Sequence, residues 1–570
     1  MLEKLRLHLA GVDALPLLAV LGLFSGLVAG SVIILLRLLI EFIQSGFLPN
    51  ADPENYEALS MATRFALPVL GGLMIGLLFQ FAGKDAIAVG VVHVQERLAY
   101  HQANLPFKNF IMQFIGATVS IVSGHSVGRE GPGVHLGAAS ASFIGQWFKL
   151  PHNTLRILVA CGVSASIAAS FNTPFAGVIF AMEVIMLEYT IAGFTPIVLA
   201  AVSATFLTHT VFGSQPVFTV PALQLATYTE LPVLLMMGVM IGALSAAFIA
   251  LLKLTIVKTH EVAVWQRLTL AGLVTGVCAV FAPQIMSIGY DTVNQAMLGE
   301  IGLALLLLIV FLKVVATTVG IGLGLPGGLI GPTLVIGAAA GGAVGIVADA
   351  VLPNQVASAG FYAMIGMAAM MGATLQAPLA ALMALLELTV NTNIILPGML
   401  AVVVAGITSS HLFRQESVFV MLLKVKGLDY RHSPIAQSLR RIGVASVMTR
   451  SFVRSKQSMR RSEAQAILQS EPEWIVVENE AEPMVVMPSA DLAQFLGMNQ
   501  QDVVDLIELP GKRTDCALVG IRETLQRALE LMDERKIDIV LVGKKAEGSD
   551  KALIHGIVTR PMIEMHYRYK

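Results

Sequence analysis

Long apolar runs separated by short polar gaps fill the chain up to about residue 430. The clearest are Leu17 to Leu36, Phe65 to Phe81, Ile191 to Phe212, Leu231 to Leu252, Leu268 to Ile288, Ile301 to Val319 and Ile394 to Leu412. Each is near the roughly 17 to 25 residues that a helix needs to cross about 30 Å of hydrocarbon. Shorter or Gly/Pro-interrupted runs lie among them, at Phe110 to Val122, Val134 to Phe148, Leu155 to Ala169 and Leu329 to Val351. Broken backbone survives at membrane depth only beside protein or a water-filled cavity, so these segments predict the walls of a substrate path. Beyond about Arg440 the pattern changes to that of a soluble α/β unit. Short strands are expected at Trp474 to Glu478, Pro483 to Met487, Ile537 to Val542 and Ala552 to Val558, and helices at Ser462 to Leu468 and Ile521 to Met532. The expected fold is an all-α polytopic membrane domain over residues 1–430 and a small α/β domain over 440–570.

Two stretches about 200 residues apart add chemistry to this pattern: Gly128-Arg129-Glu130-Gly131-Pro132 and Gly327-Gly328-Leu329-Ile330-Gly331-Pro332. Each sets glycine backbone just ahead of a proline suited to the first turn of a helix. A helix start carries unpaired N–H groups and the positive end of the helix dipole, so it holds an anion without a lysine or arginine. Downstream of each motif a second pair of landmarks matches. Pro174 precedes Glu183 by nine residues, and Pro378 precedes Glu387 by nine (183 − 174 = 387 − 378 = 9). The membrane domain is therefore expected to be a repeat, with halves at about 14–213 and 231–412 and a site at their interface. Inverted halves would aim helix starts at one centre from opposite sides.

Glu130 is the most informative side chain, because an ionisable residue inside a membrane segment is costly. Its carboxylate would itself suit the amides meant for an anion, which makes it a gate opened by protonation or by displacement. The competing reading is a helix cap, or a partner of Arg129, that serves stability alone. Arg129 could attract anions or pair structurally. Glu183 and Glu387, at matching helix ends, read as caps more readily than as proton carriers. His125 and His135 flank the first motif and read as structural histidines. The glycines of Gly320 to Gly324 and Gly337 to Gly345 lack a βαβ context and a Gly-Lys-Ser/Thr ending, so close helix packing explains them better than nucleotide binding.

Composition agrees with the membrane assignment: 55% hydrophobic residues, 13% charged and a mean hydropathy of +0.75. Lys plus Arg number 37 against 38 Asp plus Glu, which suggests no nucleic-acid partner. The basic flanks Lys4, Arg6 and Lys424 to Arg441 place both termini in the cytoplasm by the positive-inside tendency. Met1 to Arg6 reads as a short amphipathic helix with no signal-type cleavage site. The three cysteines, Cys161, Cys278 and Cys516, lack metal-ligand spacing, and no nucleophile, metal cluster or phosphate loop supports an enzyme.

Over about Leu17 to Gly427 these motifs resemble the CLC chloride channels and chloride/proton exchangers. The first motif is a highly specific match, supported in order by Ser170-Phe171-Asn172-Thr173-Pro174 and Gly327 to Pro332. The resemblance implies an inverted repeat of broken and tilted helices and a homodimer in the inner or plasma membrane, with one anion pathway per subunit. It also implies gating by Glu130, with the anion bound around Gly128, Arg129 and Gly131 and by the backbone of Leu329 and Ile330. Three departures stand out. Val89 replaces the serine of the family's first signature, in Ala88-Val89-Gly90-Val91-Val92, and Phe419 replaces its late tyrosine, so two hydroxyl donors are missing. Weaker central binding and relaxed selectivity are expected. Val184 replaces an inner proton-carrying glutamate, with Glu183 beside it, so channel-like conduction and proton-coupled exchange both stay open. Fluoride handling, or a non-transporting sensor that signals through its tail, are the competing functions.

The tail resembles a pair of CBS modules, with Gly556-Ile557-Val558-Thr559-Arg560 the best local match. Such modules can bind adenine nucleotide through a threonine and a nearby aspartate. Thr559 fits, Met562 stands where the aspartate is expected, and Asp491 could serve in the first unit. The alternative is a dimer-stabilising tail without a ligand.

Overall fold

A computed structural model describes residues 6, 9, 14–83, 86–189, 191–214, 217–218, 225, 227, 230–353, 355–428, 434–479, 482–511, 513–545 and 552–568. The amphipathic start expected over Met1 to Arg6 lies, apart from Arg6, outside the described residues. Contacts divide the chain into two compact units: Ala19–Ile144 with Arg156–Tyr430, and Met1–Leu18 with Gly145–Leu155 and Arg431–Lys570.

The first unit is helical. Its helices fall into two series of eight: α1 Leu15–Phe47, α2 Met61–Ala82, α3 Gly90–Tyr100, α4 Phe107–Val122, α5 Glu130–Trp147, α6 His152–Phe171, α7 Pro174–Phe180 and α8 Ile191–Phe212, then α9 Leu231–Thr259, α10 Val264–Phe281, α11 Tyr290–Leu298, α12 Leu303–Leu323, α13 Ile330–Val351, α14 Ala359–Leu375, α15 Pro378–Thr389 and α16 Ile395–Ile407. A last short helix, α17 (Val418–Val425), packs against α3. Among the described residues, nine helices are long and apolar enough to cross a membrane.

The repeat expected from the sequence reaches down to single hydrogen bonds. After α4, the amides of Gly124, His125 and Val127 bond to the carbonyls of Ile121, Ser120 and His125. After α12, exactly 200 residues on, Gly324, Leu325 and Gly327 bond to Ile321, Gly320 and Leu325. The helices after each motif also pack alike. Gly137 of α5 lies against the Gly162 carbonyl of α6, and Gly337 of α13 lies against the Gly366 carbonyl of α14, approaches that any Cβ would block.

Two expectations need correction. Leu155 to Ala169 and Leu329 to Val351 are neither short nor broken: they lie in α6 and α13, continuous helices of 20 and 22 residues, and the glycines of α13 seat α14 rather than interrupt the backbone. The run from Leu268 ends at Phe281 instead of Ile288, because Pro283 cannot continue a helix. Glu183 and Glu387 are caps, and each caps a helix in the other half. The Glu183 carboxylate accepts the amides of Leu379 (3.3 Å) and Ala380 (2.7 Å) at the start of α15, while Glu387 accepts those of Phe175 (2.9 Å) and Ala176 (2.7 Å) at the start of α7.

The tail repeats one strand–helix–strand–strand unit. In the first, β1 (Phe452–Lys456) runs parallel to β3 (Trp474–Asn479), which pairs antiparallel with β4 (Glu482–Pro488). In the second, β6 (Thr514–Val519) runs parallel to β7 (Ile539–Lys545), which pairs antiparallel with β8 (Ala552–Thr559). Antiparallel β4–β6 pairing joins them into one six-stranded sheet, and short strands β2 (Ser458–Arg460) and β5 (Val503–Asp505) pair separately. Cys161 and Cys278 are buried and Cys516 is partly buried, and none of the three forms a disulfide.

The reciprocal caps carry a stability prediction. Glu183→Ala and Glu387→Ala should each lower unfolding stability by about 1–2 kcal/mol, and by similar amounts, as measured by thermal unfolding of the purified protein in one detergent.

Candidate functional site

The two glycine-proline motifs meet. Gly128 N–H donates to the Gly328 carbonyl at 2.8 Å and Gly328 N–H to the Gly128 carbonyl at 2.7 Å, an antiparallel bridge between equivalent residues of the two halves. Beside it, the Ser126 and Thr317 hydroxyls lie 2.9 Å apart. Side chains would prevent this approach: a Cβ on Gly128 would collide with the Glu130 carboxylate, and one on Gly328 would meet the Gly131 amide at 2.6 Å. The helix starts of α5 and α13 are thereby held side by side.

Glu130 is the first residue of α5 and is fully buried. One carboxylate oxygen, Oε2, accepts the backbone N–H of Gly331 in the first turn of α13 at 3.2 Å. The other, Oε1, accepts a short hydrogen bond from the Tyr290 hydroxyl. Glu130 thus joins both halves, and its ligands are the kind an anion would use. The amide on the carboxylate is that of Gly331, one residue beyond the expected Leu329 and Ile330, which are buried at the same helix start. Gly128 was expected to offer its amide to an anion, but that amide is bonded to Gly328. Gly131 packs on the Gly328 backbone.

Tyr290 is the residue the sequence reading missed. It opens α11, and its ring is held by Phe218 edge-on (centroids 5.5 Å apart), by Phe171 tilted against it (5.9 Å) and by the Arg129 guanidinium over its face, 5.3 Å from the centroid. Its mate in the repeat is Gly90, which opens α3, at the same 200-residue offset as the motifs (290 − 90 = 200). Gly90 and Tyr290 share no side-chain chemistry, so the offset alone does not mark Tyr290 in the sequence.

A cavity of about 350 Å³ abuts the ring, lined by Arg37, Glu41, Glu54, Arg129, Asn172 and Tyr290 among others. Arg37 pairs with Glu41 at 2.6 Å. Arg129 donates to the Ser170 carbonyl at 3.0 Å, while its Nε is buried without a protein acceptor. The carboxyl of Glu54, in the loop between α1 and α2, is raised to about 7 by burial and by the nearby Asp291 charge, against the pull of Arg129 and Lys313.

The remaining expected residues sit elsewhere. Val89 precedes α3, and Phe419 is buried on α17, which packs against α3. The Gly90 amide after Val89 donates to Gln113 Oε1 at 2.7 Å, leaving the Gln113 Nε2 buried and without a protein partner. Val184 is buried in a π-turn, and its carbonyl accepts Gln95 Nε2 at 2.9 Å. Both oxygens of neighbouring Glu183 are taken by α15. His135 is not the lone histidine expected: its Nε2 lies 2.8 Å from His93 Nδ1, and Arg97 Nε donates to the far side of His93 at 3.0 Å. His125 is fully buried, as a structural histidine would be.

In the tail, a cleft of about 330 Å³ is lined by Trp474, Thr514, Asp538, Thr559 and Arg560, with Pro488, Ile539, Pro561 and Glu564. Thr559 is there as expected. Asp491 is not, being paired with Arg513 at 3.1 Å; the carboxylates lining the cleft are Asp538, 2.9 Å from Arg560 Nε, and Glu564. The Trp474 indole N–H is buried and without a partner.

A family profile described as "Voltage gated chloride channel" matches residues 71–410. A "ClcB-like" chloride channel protein of Ralstonia nicotianae is 30% identical over 387 residues, 67% of this chain and 90% of its own. An H+/Cl− exchange transporter, ClcA, of Yersinia pestis is 27% identical over 409 residues, 69% of this chain and 85% of its own. The solved structure of a slow cyanobacterial Cl−/H+ antiporter superposes with a TM-score of 0.63 at 21% identity, covering 72% of this chain and 97% of that one, a likeness of fold.

Glu54 yields a pH prediction with a definite sign. Its folded-state value lies above the ordinary 4.5, so its contribution to stability is complete below about pH 4.5 and is lost as pH rises through about 7. Glu54→Gln fixes the neutral form, so its melting temperature should gain on that of the wild type as pH rises from about 4.5 to about 7 and keep that gain above it.

Proposed function

The chain belongs to the CLC family of voltage gated chloride channels, and from that premise we propose that it carries chloride or similar small anions across a membrane through a pathway gated by Glu130. It is a multi-pass membrane protein and not an enzyme. The observation that carries the reading is the Glu130 carboxylate itself. It is an anion held by donors from the second half, Gly331 N–H and the Tyr290 hydroxyl, where two helix starts converge. A transported anion competes for the same donors, and protonation of Glu130 weakens its hold on them. Both routes open the path.

With both termini cytoplasmic, as the basic flanks suggest, the loop carrying Glu54 and the arginine-lined cavity lie on the outer side of the inner or plasma membrane. Arg37 and Arg129 then draw anions toward Tyr290. A homodimer with one pathway per subunit completes the proposal. Proton exchange by this chain would need a route other than Val184, which cannot titrate, and other than a free Glu183 carboxylate, since both its oxygens cap α15.

The tail cleft suits an adenine nucleotide in its donor set. The Trp474 indole offers a free N–H, Thr559 and Asp538 offer ribose partners, and Arg560 offers a charge for phosphate. When bound, the nucleotide would supply regulation and no chemistry.

Two experiments check these readings. In proteoliposomes, anion flux should be robust, and Glu130→Gln should make it insensitive to pH. Uphill proton movement driven by a chloride gradient would establish exchange, its absence with strong flux would establish a channel, and fluoride flux without chloride flux would favour the fluoride reading. For the tail, ATP should raise the melting temperature of the full-length protein by a few degrees, and Asp538→Asn should reduce that shift; no shift would leave the tail a structural element.

A further inference from the structure

Tyr290 holds more than the gate. Its ring packs against Phe171, Phe218 and the Arg129 guanidinium, and its hydroxyl donates to Glu130 Oε1. The ring lines the arginine-bearing cavity, whereas Glu130 does not, so the phenol stands between the cavity and the carboxylate. When the carboxylate leaves, the O–H and the Gly331 N–H are left together, buried and without their acceptor. Buried donors in that condition recruit whatever acceptor can reach them.

We propose that Tyr290 is an anion ligand of the pathway: with Glu130 displaced, its hydroxyl donates to the transported anion beside the Gly331 amide. This rests on the reading of Glu130 as the gate of an anion path. It also accounts for the loss of hydroxyls at Val89 and Phe419. Those two positions belong to α3 and its neighbour α17, and the hydroxyl instead stands on α11, the repeat mate of α3. The donor has moved from one half of the repeat to the other. The geometry favours small anions, because the phenol cannot retreat from a ring position fixed on three sides.

The test separates a ligand from a mere latch by removing the latch's partner. Chloride binding is measured by calorimetry on purified full-length Glu130→Ala protein, with and without Tyr290→Phe. A ligand role predicts about tenfold weaker chloride binding in the double variant, the scale of one hydrogen bond to a charged group. Equal affinity in the two proteins, even with altered pH dependence of flux in Tyr290→Phe alone, overturns the proposal and leaves the gate reading intact. Absence of chloride binding in Glu130→Ala itself overturns both. Should Tyr290→Phe fail to fold, a ring-fluorinated tyrosine at 290 keeps the shape and strengthens the donor. Chloride binding should then tighten severalfold, and an unchanged affinity rejects the ligand role.

Discussion

Two backbone hydrogen bonds between Gly128 and Gly328 are the constraint from which the site follows. They lock the approach to helix α5 against the approach to helix α13, so that two positive helix ends lie together at one place. Helix ends of like sign repel, and such an arrangement is stable only with negative charge among them. Glu130 supplies that charge from within the motif. On the proposed function, the gate is also the counter-charge of these two helix starts, and anion occupancy and gate position become alternatives for one role.

The reciprocal caps extend the same logic to the other end of the repeat. Glu183 and Glu387 do for α15 and α7 what Glu130 does for α13: each places a carboxylate of one half on exposed amides of the other. The difference lies in what surrounds them. The capping glutamates bond two consecutive amides apiece, which makes them fasteners. Glu130 bonds one amide and one hydroxyl, and that hydroxyl, on Tyr290, borders a cavity carrying Arg37 and Arg129, which is why the proposed function takes it as displaceable.

Much of this was legible in the sequence, because the repeat leaves paired landmarks. The motif at Gly128 to Pro132, the 200-residue offset and the equal Pro-to-Glu spacings were sufficient to place the site at the meeting of the halves and to pick out Glu130. Tyr290 was not legible, because it sits in no glycine-proline motif and its value depends on which ring faces which carboxylate after folding. Gln113 was hidden for the same reason: an amide side chain in an apolar helix gives no sign that it reaches the start of α3. The continuity of α13 was misread because glycine loosens a lone helix but seats a packed one, and only the partner helix distinguishes the two. In the tail, four strands were readable, but β1, β2, β5 and β6 were not, and of the carboxylates lining the cleft Asp538 lies just before β7, away from Thr559 in sequence.

The cross-half caps have a consequence for how the protein is made. The amides of Phe175 and Ala176 emerge from the ribosome about 200 residues before Glu387, the group that will cap them. At roughly 5–20 residues per second, the first half waits about 10–40 s with an uncapped helix start and an unpaired Gly128. During that interval it is an inserted but unclosed bundle, exposed to misassociation and to membrane proteases. Biogenesis of the two halves is therefore a single event, in which the late residues of the second half release the first from its vulnerable state.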